Sequence, residues 1–125
     1  MTTLYILKYD KNKINSLYKI GITSFTAQHR CNEIQKTMKE GKLSVYWHRK
    51  FLAAYVMEQT LHVIFKPFHA PQPEYVSGYT EFFDLNFIIV EILASVLNLC
   101  VLLRYLFLLI TAAVLLEKIG FIRFV

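Results

Sequence analysis

Between Ile92 and Leu116 the chain carries a single charged side chain, Arg104. About 20 predominantly apolar residues are enough to cross the hydrocarbon core of a bilayer. Sixteen positions of this stretch are Leu, Ile, Val or Phe. At roughly 0.3 to 0.6 kcal/mol each they favour insertion by about 5 to 10 kcal/mol, against about 2.5 to 3.5 kcal/mol for a central arginine. Insertion therefore survives both Arg104 and Asn98. The competing use of such a segment is a buried or oligomerising helix, but a chain of 125 residues offers little core in which to hide it.

Arg104 leaves only about 12 uncharged positions on either side, so a single pass is expected rather than two. Its guanidinium would then face a partner helix, snorkel to the interface or meet anionic lipid. The expected partner of residues 92–116 is thus a lipid bilayer, with self-association through the tail as a second use. The nearest basic residues before the tail stop at Lys66, whereas Lys118 and Arg123 follow it closely, which by local charge counting puts the C-terminus inside. Against this, Met1-Thr2-Thr3-Leu4 begins directly with strand-like alternation and lacks the regions of a signal peptide, so the N-terminal part is expected in the cytoplasm.

The remainder has room for one modest domain, residues 1–85, with 86–125 forming a linking helix and the apolar segment. Its chemistry is basic: the formal net charge is +5, which suits a phosphate polymer or an anionic surface better than an acidic partner. Cys31 and Cys100 fall in unrelated contexts, one polar and helical, the other in the apolar tail, and support neither a disulfide framework nor a metal cluster. A reducing compartment fits them.

Strand propensity marks Thr3 to Tyr9 and Leu17 to Ile22, joined by a polar turn through Asp10, Lys11, Asn12 and Lys13, as a β-hairpin. Hydroxyls at Thr23, Ser24 and Thr26 then precede helical spacing of Ala27, Cys31, Ile34 and Met38, predicting a helix from Ala27 to Glu40. Leu43 to Phe51 reads as a third strand. Ala54, Met57, Leu61, Ile64 and Phe65 mark a second amphipathic helix that Pro67 ends. Residues 78–85 form a short extended segment leading to a further helix. Strands and helices in this order give an α+β domain with three strands and flanking helices.

On a helical projection of the second helix, Leu61 and Phe65 fall within roughly 20° of Ala54, and Glu58 within roughly 40°. A carboxylate therefore sits in the apolar stripe. Burying it unpaired is costly, so Glu58 should meet a cation, a metal, a hydrogen-bond donor or a water-filled cleft, either in a functional role or in a structural pairing with Arg or Lys. His62, one turn on, falls beside it at the margin of the stripe. On the first helix, Arg30 flanks the buried stripe, placed to reach a phosphate or to snorkel to solvent.

Leu4-Tyr5-Ile6 on one strand, Tyr18-Lys19-Ile20-Gly21-Ile22-Thr23 on the next, Arg30 after them, Glu58 on a later helix and the closing Gly78-Tyr79-Thr80-Glu81-Phe82-Phe83 together resemble the GIY-YIG nuclease superfamily. The likeness is to a phage and bacterial branch whose second motif reads Lys-Ile-Gly, and it covers about Thr3 to Leu93. It implies an antiparallel sheet and hydrolysis of DNA phosphodiesters with one divalent metal, usually Mg²⁺, on Glu58. Tyr5 would hydrogen-bond or help deprotonate the attacking water, and Arg30 would stabilise charge on the phosphate.

The chain departs from the family pattern at two places. Lys19 stands where a tyrosine is usual, with Tyr18 one position earlier and so on the opposite face of a regular strand. As a cation Lys19 holds phosphate without any pKa shift, whereas as a base it needs one. Ile34 also occupies a position often held by Tyr or His, with His29 just before Arg30. The expected catalytic set is Tyr5, Lys19, Arg30 and Glu58, with Tyr18, His29, Arg49 and Lys50 as substrate contacts. Interleaved aromatic and basic residues in Tyr46-Trp47-His48-Arg49-Lys50 suit backbone neutralisation with stacking. A membrane-tethered, metal-dependent DNA endonuclease leads. A catalytically degenerate binding module and a small membrane exclusion or toxin-like protein are the alternatives.

Overall fold

The computed structural model describes residues 2–10 and 16–120. The polar turn expected at Lys11, Asn12 and Lys13, and the basic Arg123, lie outside the described residues. Element order is β1 (Thr3–Asp10), β2 (Ser16–Thr23), α1 (Ala27–Thr37), β3 (Lys42–Lys50), α2 (Ala54–Ile64), two single 3₁₀ turns, β4 (Phe82–Phe83) and α3 (Phe87–Lys118). The chain is α+β, and its sheet is antiparallel with strand order β3-β1-β2-β4.

Four strands stand where three were expected. The fourth is only two residues long, too short for a sequence period to announce, and it pairs Phe82 with Lys19 and Phe83 with Tyr18. The first helix also ends earlier than Glu40. Thr37 Oγ1 donates to the Ile34 carbonyl at 2.6 Å, and the Gln35 side chain accepts from the Leu43 N–H at 2.6 Å. Side chains thus take over from the helical ladder and turn the backbone into β3, leaving Met38 extended.

Strand alternation sorts the residues between the two faces. Tyr5, Leu7 and Tyr9 of β1 share one face with Lys19 and Gly21 of β2 through the pairs Leu7–Lys19 and Tyr5–Gly21. Against that face α1 buries Ala27, Cys31 and Ile34. Tyr18 and Trp47 belong to the other face, where the Tyr18 and Tyr46 rings meet edge to face at 5.8 Å. The register between β1 and β3 shifts between Ile6 and Leu7, inserting Tyr46 as an extra residue.

β4 meets β2 at Tyr18 and Lys19, so β2 runs beyond it. There His62 of α2 donates from Nε2 to the Ile20 carbonyl oxygen at 2.8 Å, and its ring meets Phe83 at 5.1 Å. This ties α2 alongside β2 and brings Glu58, one turn earlier, toward the Tyr5 side of the hairpin.

The chain divides into two compact units, Met1–Phe87 and Ile88–Val125. The second consists of most of α3. This helix has a mean hydropathy of 2.5 over its most apolar 18 residues, and it is long and apolar enough to cross a membrane. Leu106, Phe107, Leu108, Leu109 and Ile110 are all exposed on it.

A candidate nuclease-type site

Tyr5, Lys19, Arg30 and Glu58 come from β1, β2, α1 and α2, and the fold gathers them. Lys19 Nζ lies 5.9 Å from the centre of the Tyr5 ring and 5.8 Å from that of Phe82. Arg30 stands close enough to the Tyr5 phenol to favour its charged form, and the charge of Glu58 acts on both Tyr5 and Lys19. Tyr5 is 1% exposed, Lys19 0% and Glu58 6%, while the Arg30 side chain retains 27%. Three groups therefore form a buried floor, and Arg30 stands at its mouth.

A fifth group completes the cluster. The carboxylate of Glu81 accepts a hydrogen bond from Lys19 Nζ and remains part-exposed, at 30%. Its charge also acts on Tyr5 and Glu58. Residue-by-residue reading of the sequence does not single out Glu81, although it lies in the segment Gly78 to Phe83 that contributes to the family likeness. The signal that finds it is the burial of Lys19, because an ammonium taken from water requires a counter-charge.

These surroundings set the protonation states. Burial, then the negative charge of Glu81, pushes the Tyr5 phenol up to about 12, with the nearby Arg30 guanidinium opposing them. Tyr5 is thus a neutral hydrogen-bonding group at physiological pH rather than a ready base. Burial lowers the pKa of Lys19, against the pull of Glu81. Burial and the nearby Glu81 carboxylate raise that of Glu58, while His62 and a 3.0 Å hydrogen bond from Gln59 Nε2 favour its charged form.

A divalent cation fits this donor set. No group of three or more His, Cys, Asp or Glu side chains with metal-binding placement occurs among the described residues. One or two carboxylates, supplemented by waters and substrate oxygens, are however the usual protein share of a Mg²⁺ site. Glu58 is such a carboxylate, and its repulsion with Glu81 would be relieved by added positive charge.

Beyond Tyr5 the same face opens into a groove of about 920 Å³ between the start of α1 and the end of β3. His29, His48, Arg49 and Lys50 contribute its basic lining, and no carboxylate lines it among the described residues. Thr26 caps α1 by accepting the His29 N–H at 3.1 Å, and this helix N-terminus opens on the groove with its partial positive charge. Phe25, 64% exposed, offers a flat ring there, 5.1 Å from that of His29. His29 also pairs with Glu33 at 2.6 Å.

The remaining expected contacts lie elsewhere. Tyr18 is buried on the opposite face of the sheet, against Tyr46. Trp47 is buried as well, so the aromatics of β3 serve packing, and Phe25 is the exposed ring of the groove.

A family model, the T5orf172 domain, matches residues 2–101, four-fifths of the chain and every residue of the cluster and groove. The chain belongs to the T5orf172 domain family. This is a GIY-YIG/HNH-like nuclease-associated family, and membership indicates a nuclease-like or DNA-binding function. No curated protein and no solved structure matches the chain. The T5orf172 match runs past Phe87 and Ile88, where the two compact units divide, into the first half of α3.

Proposed function

We propose that this T5orf172 protein is a metal-dependent DNA endonuclease held at a membrane by α3. The observation that carries the proposal is the gathering of Tyr5, Lys19, Arg30, Glu58 and Glu81, together with a groove whose lining carries His29, His48, Arg49 and Lys50. The groove binds the DNA backbone through Arg49, Lys50 and the α1 N-terminus, with Phe25 under a base. Arg30 follows His29 of the groove wall, and its part-exposed guanidinium neutralises charge that grows on the phosphoryl oxygens. Tyr5, neutral throughout, orients the attacking water by hydrogen bonding. Glu58 would hold Mg²⁺, which supplies Lewis-acid stabilisation of the phosphate and leaving oxygen.

The tether rests on the length and hydropathy of α3 and on the exposure of its leucines. With the nuclease unit on the cytoplasmic side it meets DNA, and the same helix is free to associate with a second copy.

The test is nicking of supercoiled plasmid by the full-length chain in detergent. Cleavage with Mg²⁺ that EDTA stops and Glu58→Ala abolishes is expected. DNA binding without cleavage by any divalent metal would overturn the enzyme assignment. It would favour a catalytically degenerate binding module, a reading supported by Lys19, which stands where a tyrosine is usual and is fully buried against Glu81.

A further inference from the structure

Lys19 and Arg30 reach the site from different elements, yet both are gripped by one short stretch of chain, residues 77–81. Arg30 Nη2 donates to Ser77 Oγ at 3.1 Å, and Lys19 Nζ donates to the Glu81 carboxylate. The stretch is itself pinned at two points. The Ser77 N–H donates to Thr37 Oγ1 at the end of α1 at 3.0 Å, and the Tyr79 carbonyl accepts from the Gln72 N–H at 2.9 Å. The Glu81 N–H then closes a turn on the Gly78 carbonyl at 3.0 Å.

Gly78 lies between the two grips with φ of 67°, in the left-handed region. A Cβ on it would stand 2.5 Å from Lys19 Nζ and 3.2 Å from Glu81 Oε2. The stretch thus approaches the lysine as closely as a backbone without a side chain allows. Lys19 has its ammonium near the Tyr5 and Phe82 rings, so its charged end is directed by the Glu81 carboxylate rather than by water.

We propose that residues 77–81 form a positioning clamp in which Glu81 orients the Lys19 ammonium and Ser77 the Arg30 guanidinium. Its effect on rate rests on the endonuclease assignment; its effect on Lys19 does not. Neither Glu81 nor Ser77 needs to touch substrate. They act by fixing two cations whose displacement by about 1 Å costs on the order of 100-fold in rate.

The experiment uses the full-length chain in detergent and compares Glu81→Gln, Glu81→Asp and Ser77→Ala, each alone, and Glu81→Gln also with Lys19→Met. Single-turnover plasmid nicking, DNA affinity and acetylation of Lys19 mapped by peptide mass are measured. Glu81→Gln should slow nicking by about 100-fold with unchanged DNA affinity, Glu81→Asp should restore part of the rate, and Lys19 should change from protected to acetylated. In the Lys19→Met background Glu81→Gln should add no further loss, because residues acting as a unit are not additive.

A wild-type rate in Glu81→Gln, or an equal loss with and without Lys19, overturns the clamp. Should Glu81→Gln fail to fold, Ser77→Ala decides through Arg30: slower nicking at unchanged affinity supports the clamp and a wild-type rate overturns it. If the wild-type chain never nicks DNA, the endonuclease assignment falls alone. Acetylation then decides the clamp, which is overturned if Lys19 stays protected in Glu81→Gln.

Discussion

Gly21 lies directly across the β1–β2 hairpin from Tyr5, and a Cβ on it would stand 2.5 Å from the Tyr5 hydroxyl oxygen. The glycine of the second motif thus makes room for the tyrosine of the first. Gly21→Ala forces the phenol aside. Overpacking of this kind costs about 1 to 3 kcal/mol, read as a lowered thermal midpoint. A misplaced hydroxyl should also slow nicking by about 100-fold. Unchanged nicking in a folded Gly21→Ala protein would remove Tyr5 from the reaction.

The groove predicts a separation of binding from chemistry. Arg49 and Lys50 are exposed on its wall, away from the buried floor of the cluster. Every phosphate that the protein ceases to neutralise lowers the slope of log affinity against log salt by about 0.9. Arg49→Ala with Lys50→Ala should therefore weaken DNA binding at low salt and flatten its salt dependence by up to about 2. Titrations by fluorescence anisotropy at several salt concentrations check this. At saturating DNA the cleavage rate should stay near that of the wild type.

Burial raises the pKa of Glu58 above its ordinary 4.5. The native state then holds the proton more tightly than the unfolded chain does, so the charged form costs stability as pH rises through that interval. Glu58→Gln removes the cost. The variant should melt higher than the wild type at pH 7.5, and the gap should narrow as the pH falls below 4.5, where the carboxyl becomes protonated in both states. Mg²⁺ should raise the melting temperature of the wild type and leave that of Glu58→Gln unmoved, since a cation bound only by the native state stabilises it. Equal shifts in both proteins would take the metal away from Glu58.

How far the sequence carried these points depended on the reach of each interaction. Periodicity located β1, β2 and both helices of the domain, because burial of one face repeats along an element. The same arithmetic put Glu58 in an apolar stripe, where it is buried. Alternation also set Tyr18 and Lys19 on opposite faces, as their partners Lys8 and Leu7 show. Contacts between distant segments left no such trace. Lys19 and Glu81 are 62 residues apart and Arg30 and Ser77 are 47 apart. The strand that brings Glu81 in has only two residues, too few for any pattern. His62, on the margin of the Glu58 face, fastens α2 to the Ile20 carbonyl, a backbone acceptor that no side-chain pattern reveals.

The margin by which the tail favours insertion can be counted. Sixteen strongly apolar residues favour insertion by about 5 to 10 kcal/mol, and Arg104 takes back about 2.5 to 3.5. A second arginine in place of a leucine near the middle takes a similar amount and one apolar contribution with it, which brings the sum to between about 4 kcal/mol in favour of insertion and about 2.5 kcal/mol against it. Leu108 is one helical turn from Arg104 and is exposed on α3. Leu108→Arg should shift part of the protein from the membrane pellet to the alkaline-carbonate supernatant, whereas Leu108→Ala should not. Both variants leave residues 2–101, the T5orf172 match, unchanged, so plasmid nicking in detergent should be the same for each. If the wild-type chain itself comes off in carbonate, α3 does not span the bilayer and its exposed leucines serve association between copies instead.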